Sequence, residues 1–207
     1  MAADFDPWSS PDTVQAILAN GTRVAVLPVG PGARDHELLR TQLLAHFPEL
    51  SADSRYMRFL SPVPRFTSSM LRRLVDSVDN VDHVALNAQV LDDSVPRGQL
   101  HGPLVGTPVG LARFIRYPHM PFAAEAAVAV VDEWQHLGVG SLLLRSLAQA
   151  ALRRGITTFA ADVLATNVAS LALLQHLGPV TSSPMDHGVI HIEAAFGTAL
   201  PGSSSAS

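Results

Sequence analysis

Ala123-Ala124-Glu125-Ala126-Ala127-Val128-Ala129-Val130-Val131-Asp132-Glu133-Trp134-Gln135-His136-Leu137-Gly138-Val139-Gly140 carries the decisive pattern of this chain. Ala123–Val131 is almost all apolar, as expected for a strand covered on both faces. It breaks at two acids and runs into a glycine-bearing turn. A helix follows over Gly138–Arg154: Leu143, Leu144, Leu147 and Ala151 make its inner stripe, and Arg145, Gln149 and Arg153 the wet one. Gly155 stands where a C-terminal cap belongs. Gln135-x-x-Gly138-x-Gly140 thus sits where a strand meets a helix. Its glycines let the backbone approach an anion closely. The first helical N–H groups lack internal partners and point along a favourable dipole. That combination cradles a phosphate without any basic side chain. The turn is not the dinucleotide fingerprint G-x-G-x-x-G, and no G-K-[ST] exists for a nucleotide-binding P-loop.

Working outward, Gly21–Val29 reads as a first strand, ended by the ordinary loop Gly30-Pro31-Gly32-Ala33. Asp35–Phe47 reads as a helix with Leu38, Leu39, Leu43 and Leu44 at helical spacing. Ser51–Pro64 is a mixed segment. Thr67–Val78 is a second helix that Thr67 can cap. His83–Leu91 and Val109–Tyr117 are strands, separated by an exposed hairpin insertion over Asp92–Thr107. After the long helix come a strand at Thr157–Leu164, a short helix at Val168–Leu177 stopped by Gly178-Pro179, and a last strand at His187–Phe196. The expected fold is α/β, one domain built on a mixed, mostly antiparallel sheet flanked by helices. The expected boundaries are an N-terminal extension over 1–20, the domain over 21–197, and a disordered tail over 198–207.

Composition narrows the function. The chain has 207 residues, 47% of them apolar and 15% charged, with a formal net charge of −4. No basic surplus or stripe marks a nucleic-acid binder, so no nucleic-acid partner is expected. Cys is absent, which removes disulfides, thiolate zinc sites and Cys nucleophiles and fits a reducing compartment. His191-Ile192-Glu193 therefore lacks the cysteines of a zinc deaminase. His187 and His191 lie four apart on a strand, where they do not share a metal; no metal is expected. No apolar run spans a bilayer and the first ten residues carry no secretory pattern, so no membrane contact and a cytoplasmic location are expected. All 14 basic residues are Arg. GC-rich codon usage explains this; avoidance of self-modification by an enzyme acting on lysine is the sharper reading.

Gln-x-x-Gly-x-Gly after an apolar strand resembles the acetyl-CoA signature of the GNAT superfamily of N-acetyltransferases, and the element order from about Thr22 to Gly178 matches that fold. Ser54–Pro62, Val81–Leu86 and Glu125–Gly140 are similar to the acetyltransferase domain of bacterial protein lysine acetyltransferases. The resemblance implies acetyl-CoA as acyl donor. It implies that Val128 and Val130 offer backbone groups to the pantetheine arm. Gln135, Leu137, Gly138, Val139, Gly140 and Ser141 would form the cofactor-binding turn, with N–H groups from Leu137 to Ser141 on the pyrophosphate. Asn167 matches a cofactor-arm contact and equally suits a helix N-cap. Glu125 lies ten residues before Gln135, where those relatives carry a catalytic Glu. It is the one charge between His119 and Asp132, and burial among Ala and Val would raise its pKa toward that of a useful general base. The competing reading pairs it with Arg113 or Arg116.

The implied acceptor is an accessible lysine of a protein, with Arg55, Tyr56, Arg58 and Phe59 at its entrance. Two departures stand out. His136-Leu137 replaces a frequent Gly-Arg pair, removing a phosphate contact. Leu174 occupies the place of the Tyr that many small-molecule relatives use as general acid. Two rival readings remain: an acetyltransferase for a small amine, hydrazine or amino-sugar, and a non-catalytic acyl-CoA sensor with no attached sensory domain. Oligomeric state is not legible.

Overall fold

The structure, a computed structural model, describes residues 5–91 and 106–197. Its strands are β1 (Val14–Ile17), β2 (Arg23–Pro28), β3 (His83–Val90), β4 (Pro108–Tyr117), β5 (Met120–Val130), β6 (Thr158–Leu164), β7 (Val180–Ser182) and β8 (Val189–Ala195). They form one sheet in the order β1-β2-β3-β4-β5-β6-β8-β7. Every neighbouring pair is antiparallel except β5 with β6. The helices are α1 (Ala33–His46), α2 (Ala52–Phe59), α3 (Ser68–Leu71, running on as a π-helical stretch Arg72–Asp76), α4 (Val139–Leu152) and α5 (Val168–Gln175).

Strand alternation assigns each residue to a face. Val24, Leu86, Ala112, Phe114, Ala124, Phe159 and Ala194 meet Leu143, Leu144, Leu147 and Ala151 of α4 in the main core. The opposite face carries Ala85 against Leu39 of α1 and Leu74, Val75 and Val78 of the α3 segment. Arg145 and Gln149 of α4 are exposed, as its amphipathic pattern requires. Thr67 caps α3, its hydroxyl accepting from Met70 N–H at 3.2 Å, and Gly155 ends α4 with φ +75°.

Three elements depart from the sequence reading. The N-terminal extension over 1–20 is corrected in its second half, because Val14–Ile17 pair with Val26–Arg23 as an edge strand. Asp12, 2% exposed, accepts from Arg153 Nε at 2.8 Å and from Arg154 Nη2 at 2.7 Å, which ties this segment to the end of α4. Arg153 is therefore an ion-pair partner as well as a wet-face residue. The mixed segment after Ser51 contains the two-turn helix α2, with Ser51 Oγ accepting from Ser54 N–H at 3.0 Å. β7 adds a short edge that the Gly178-Pro179 break concealed. The expected insertion over Asp92–Thr107, apart from its last two residues, and the expected tail over 198–207 lie outside the described residues.

Candidate active site

The strands β5 and β6 run side by side only over Ala123, Ala124 and Glu125. β5 then continues to Val130 and β6 to Leu164 without pairing to each other, so the sheet opens like a V at Glu125. On its other edge β5 stays in register with β4 as far as Val130↔Gly110, and Val131 N–H donates to Val109 carbonyl at 3.0 Å. Antiparallel bonding alternates along a strand. Residues 127, 129 and 131 therefore direct their amides to β4, and 126, 128 and 130 direct theirs into the V. A linear molecule with amide groups can add there as a pseudo-strand, the chemistry a pantetheine arm offers.

At the wide end of the V, Asp132–Trp134 form a single 3-10 turn and Gln135 follows. Gln135 Nε2 lies 3.2 Å from Val130 carbonyl, from Asp132 Oδ1 and from Ser54 Oγ. Gln135 thus braces the turn against β5 and α2. The turn takes left-handed backbone twice, at His136 (φ +61°) and at Gly138 (φ +94°). Glycine takes this conformation freely at 138; histidine at 136 costs roughly 1–2 kcal/mol, and glycine would suit that position too. α4 begins at Val139 without any side-chain cap, and its first internal bond is Leu142 N–H to Gly138 carbonyl at 3.0 Å. The N–H groups at the head of the helix are left for an anion. A Cβ on Gly140 would lie 3.3 Å from Leu173 Cδ1 of α5, so this glycine also lets α5 close on the turn.

Glu125 stands at the fork. The expectation that it is desolvated fails: its side chain is 47% exposed. An exposed carboxylate carries little desolvation cost, so an otherwise apolar strand tolerates the charge. Neither Arg113 nor Arg116 pairs with it. Arg73, from the α3 segment, does, with Nη2 3.3 Å from Glu125 Oε2. Arg116 instead donates to Asp82 at 2.7 Å and to Arg154 carbonyl at 2.8 Å.

Register places further acids beside Glu125. Ala160 lies between Glu125 and Glu193, and Asp162 lies opposite His191. Glu125, Asp162, Glu193 and His191 therefore share one open sheet face. His191 Nδ1 lies 2.7 Å from Asp162 Oδ1. Tyr117, at the end of β4, belongs to this neighbourhood: burial, then the charges of Glu125, Asp162 and Glu193, raise its pKa above the usual phenolic value. No sequence spacing points to Tyr117, because only the register of four strands brings these groups together.

The remaining candidates divide. Val128 and Val130 are half-buried on β5. Asn167 caps α5, its Oδ1 accepting from Ser170 N–H at 3.0 Å. Leu174 is buried. Arg55 donates to Leu50 carbonyl at 2.9 Å and lies over the Phe47 ring, so it braces α2. Tyr56 is exposed. Arg58 and Phe59 line a cavity under α1 and α2. Among the described residues, no group of three or more His, Asp or Glu is placed to hold a metal ion.

A sheet splayed between two parallel strands, with a glycine turn and an uncapped helix at its mouth, defines an acyltransferase of the GNAT type. The model of the acetyltransferase (GNAT) family matches residues 76–178, and the chain belongs to this family of N-acetyltransferases. It is 34% identical over 132 residues to the acetyltransferase Pat of Mycolicibacterium smegmatis, covering 64% of this chain and 35% of that protein. The chain thus spans about a third of that relative's length. The GNAT domain of S. lividans PAT superposes with a TM-score of 0.71 at 27% identity, covering 89% of this chain and 97% of that one. A cAMP-binding acyltransferase from Mycobacterium smegmatis shares the fold, with a TM-score of 0.54 at 24% identity over 89% of this chain and 47% of that one. Among the described residues, no helix is long and apolar enough to cross a membrane.

Proposed function

We propose that this domain transfers an acetyl group from acetyl-CoA to the side-chain amine of a protein lysine. The opening of β5 from β6 at Glu125 carries the reading. It leaves the amides of Val128 and Val130 free along a groove that ends at the head of α4. In this reading the pantetheine arm bonds those amides, and N–H groups from Leu137 to Ser141 take the pyrophosphate. Gln135 holds the turn in register. Asn167 keeps α5, and with it Leu173, against Gly140.

The thioester carbonyl then lies near the fork. A lysine ammonium has an ordinary pKa of ~10.4 and must lose a proton before it can attack. Glu125 accepts that proton, directly or through water, since its carboxylate is open to solvent. The neutral amine forms the new C–N bond to the acyl carbon, the C–S bond breaks, and the electron pair leaves on the CoA sulfur. In this reading Tyr117, held protonated, returns a proton to that thiolate. The open face with Asp162 and Glu193 favours a cationic acceptor over a neutral one. The likeness to the acetyltransferase Pat of Mycolicibacterium smegmatis and to the GNAT domain of S. lividans PAT supports the acetyl-transfer part of this reading.

The test is CoA release from acetyl-CoA, measured by thiol detection, with denatured cell protein and a panel of small amines as separate acceptors. Release that depends on protein and leaves acetyl-lysine in it is the expected result. Release with small amines alone moves the acceptor to that class. Acetyl-CoA binding without release under either condition makes the domain a sensor. The chain contains no lysine, so every acetyl-lysine detected belongs to the acceptor.

A further inference from the structure

The cavity under α1 and α2, which Arg58 and Phe59 line, holds no group that the proposed transfer step employs. It encloses about 90 Å³ between the outer sheet face and the helices. Leu39, Leu43, Phe47, Phe66, Leu74 and Leu111 give it an apolar wall. Arg113 projects into this wall from β4. The residue is 5% exposed, and its Nη1 has no hydrogen-bond partner. Gln42 of α1 lines the same space. Its Oε1 accepts from Asn87 Nδ2 at 3.2 Å, and its Nε2 is buried without a partner. Two donors without partners therefore line one largely apolar cavity.

The charge balance around it is positive. Arg58 lines the cavity with Arg113, and Arg73 stands nearby. Burial, then the Arg58 cation, lower the pKa of Arg113 to about 10, against the opposing pull of Glu125, with Arg73 adding to the lowering. It remains a cation at neutral pH. Among the described residues, Glu125 is the carboxylate whose charge acts on Arg58 and Arg113, and it is already paired with Arg73. A buried guanidinium without a counter-ion is costly. Water satisfies its N–H groups but not its charge. A planar carboxylate does both, and its fork geometry matches guanidinium.

We propose that this cavity binds a short aliphatic carboxylate, with the carboxylate on Arg113 Nη1 and Gln42 Nε2 and the hydrocarbon tail against the leucine and phenylalanine wall. A cavity of about 90 Å³ suits a small ligand. Such a carboxylate comes either from a free acid or from one end of an aminocarboxylate. In the second case the amine end can reach Glu125: Arg113 faces Ala127, and Glu125 is two residues along the same strand face.

The test is thermal-shift and calorimetric titration of the purified domain with propionate, butyrate and valerate, beside butylamine and butanol as controls of matched size. Stabilisation by the carboxylates alone is expected. Equal effects of the amine or the alcohol, or none from the acids, overturn the proposal. Arg113→Met keeps the length of the side chain and removes the unpaired charge. It is expected to weaken carboxylate binding about ten- to a hundredfold. Ala129→Leu keeps the guanidinium and fills the cavity from β5; it is expected to abolish binding. Retained affinity in both variants refutes the site. γ-Aminobutyrate with acetyl-CoA separates the sources: an acetylated product makes the site an acceptor subsite, and binding without product makes it a site for a free acid. The binding readout does not depend on acetyl transfer, so failure here leaves the proposed reaction standing, and the reverse holds.

Discussion

Replacing Glu125 by Gln keeps the shape at the fork and removes the base. General-base assistance contributes roughly 10²–10⁴-fold in rate. The carboxylate is 47% exposed and salt-bridged to Arg73 at 3.3 Å, so solvent can take over part of its task. The expected loss in kcat/KM is therefore near the lower end, about a hundredfold, or about 2.7 kcal/mol. Acetyl-CoA affinity, read by calorimetry, should stay within about twofold, because the groove amides and the head of α4 are untouched. The assay is initial-rate thiol release with a lysine peptide at several pH values. The loss should shrink as pH rises, because more of the acceptor amine is then already neutral. Arg73→Gln is the matched control. Arg73 is 67% exposed, and such pairs contribute about 0.2–1 kcal/mol. That variant should change the rate by less than about fivefold. Full turnover by Glu125→Gln with normal acetyl-CoA binding would refute the base, and an equal loss in both variants would make the ion pair, not proton transfer, the working element.

Gly138→Ala places a Cβ at φ +94°, with no atom within 4 Å of it. Its penalty is conformational, about 1–2 kcal/mol, and calorimetry should find acetyl-CoA affinity weakened about five- to thirtyfold with little change in kcat. Asp12→Asn leaves Arg153 and Arg154 without their carboxylate. Breaking such a pair costs about 3–5 kcal/mol, the lower figure here because Arg153 is 38% exposed; a midpoint unchanged in thermal unfolding would show the N-terminal segment to be dispensable. His83 is 3% exposed. Burial first, then the Arg113 cation, lower its pKa from 6.5 to about 4. The unfolded chain therefore binds the extra proton first as pH falls, so stability present above pH 6.5 declines toward pH 4, by up to about 3 kcal/mol. Denaturant unfolding at both pH values should show that decline in the wild type and a smaller one in His83→Phe.

The sequence made the central strand, the turn and α4 legible because three local signals agree there: an apolar run, glycines at the junction, and a clean 3.6-residue stripe. β1 was passed over because Val14–Ile17 offers only four residues of alternation. Asn20-Gly21 was the available signal, since it supplies the left-handed corner of a hairpin, with Gly21 at φ +84°. α2 hid because it has no buried residue of its own and is held by caps and edges instead. The error over Glu125 has a different origin. A strand's side-chain pattern tells which residues share a face, and neighbours in sequence do not tell whether a helix covers that face at that point. Arg113 shows the same limit in reverse: a charge that reads as an ordinary strand residue is buried because α1 and α2 fold over it.

Exposure at the fork changes what catalysis must rely on. A desolvated Glu would supply basicity; an open one supplies position. The electrostatic work then falls to the division of charge over one sheet face. Arg58, Arg73 and Arg113 stand toward the helix-covered side, Asp162 and Glu193 toward the open side, and Glu125 lies between them. An acceptor ammonium is drawn to the acids and repelled by the arginines. In the proposed reaction its approach is therefore favoured from the side of β6 and β8. Once the proton has passed to Glu125, as proposed, that attraction disappears while the amine is at the acyl carbon, and the product amide carries no charge to hold it. In the proposed reaction the same arrangement thus admits a cation and releases a neutral product.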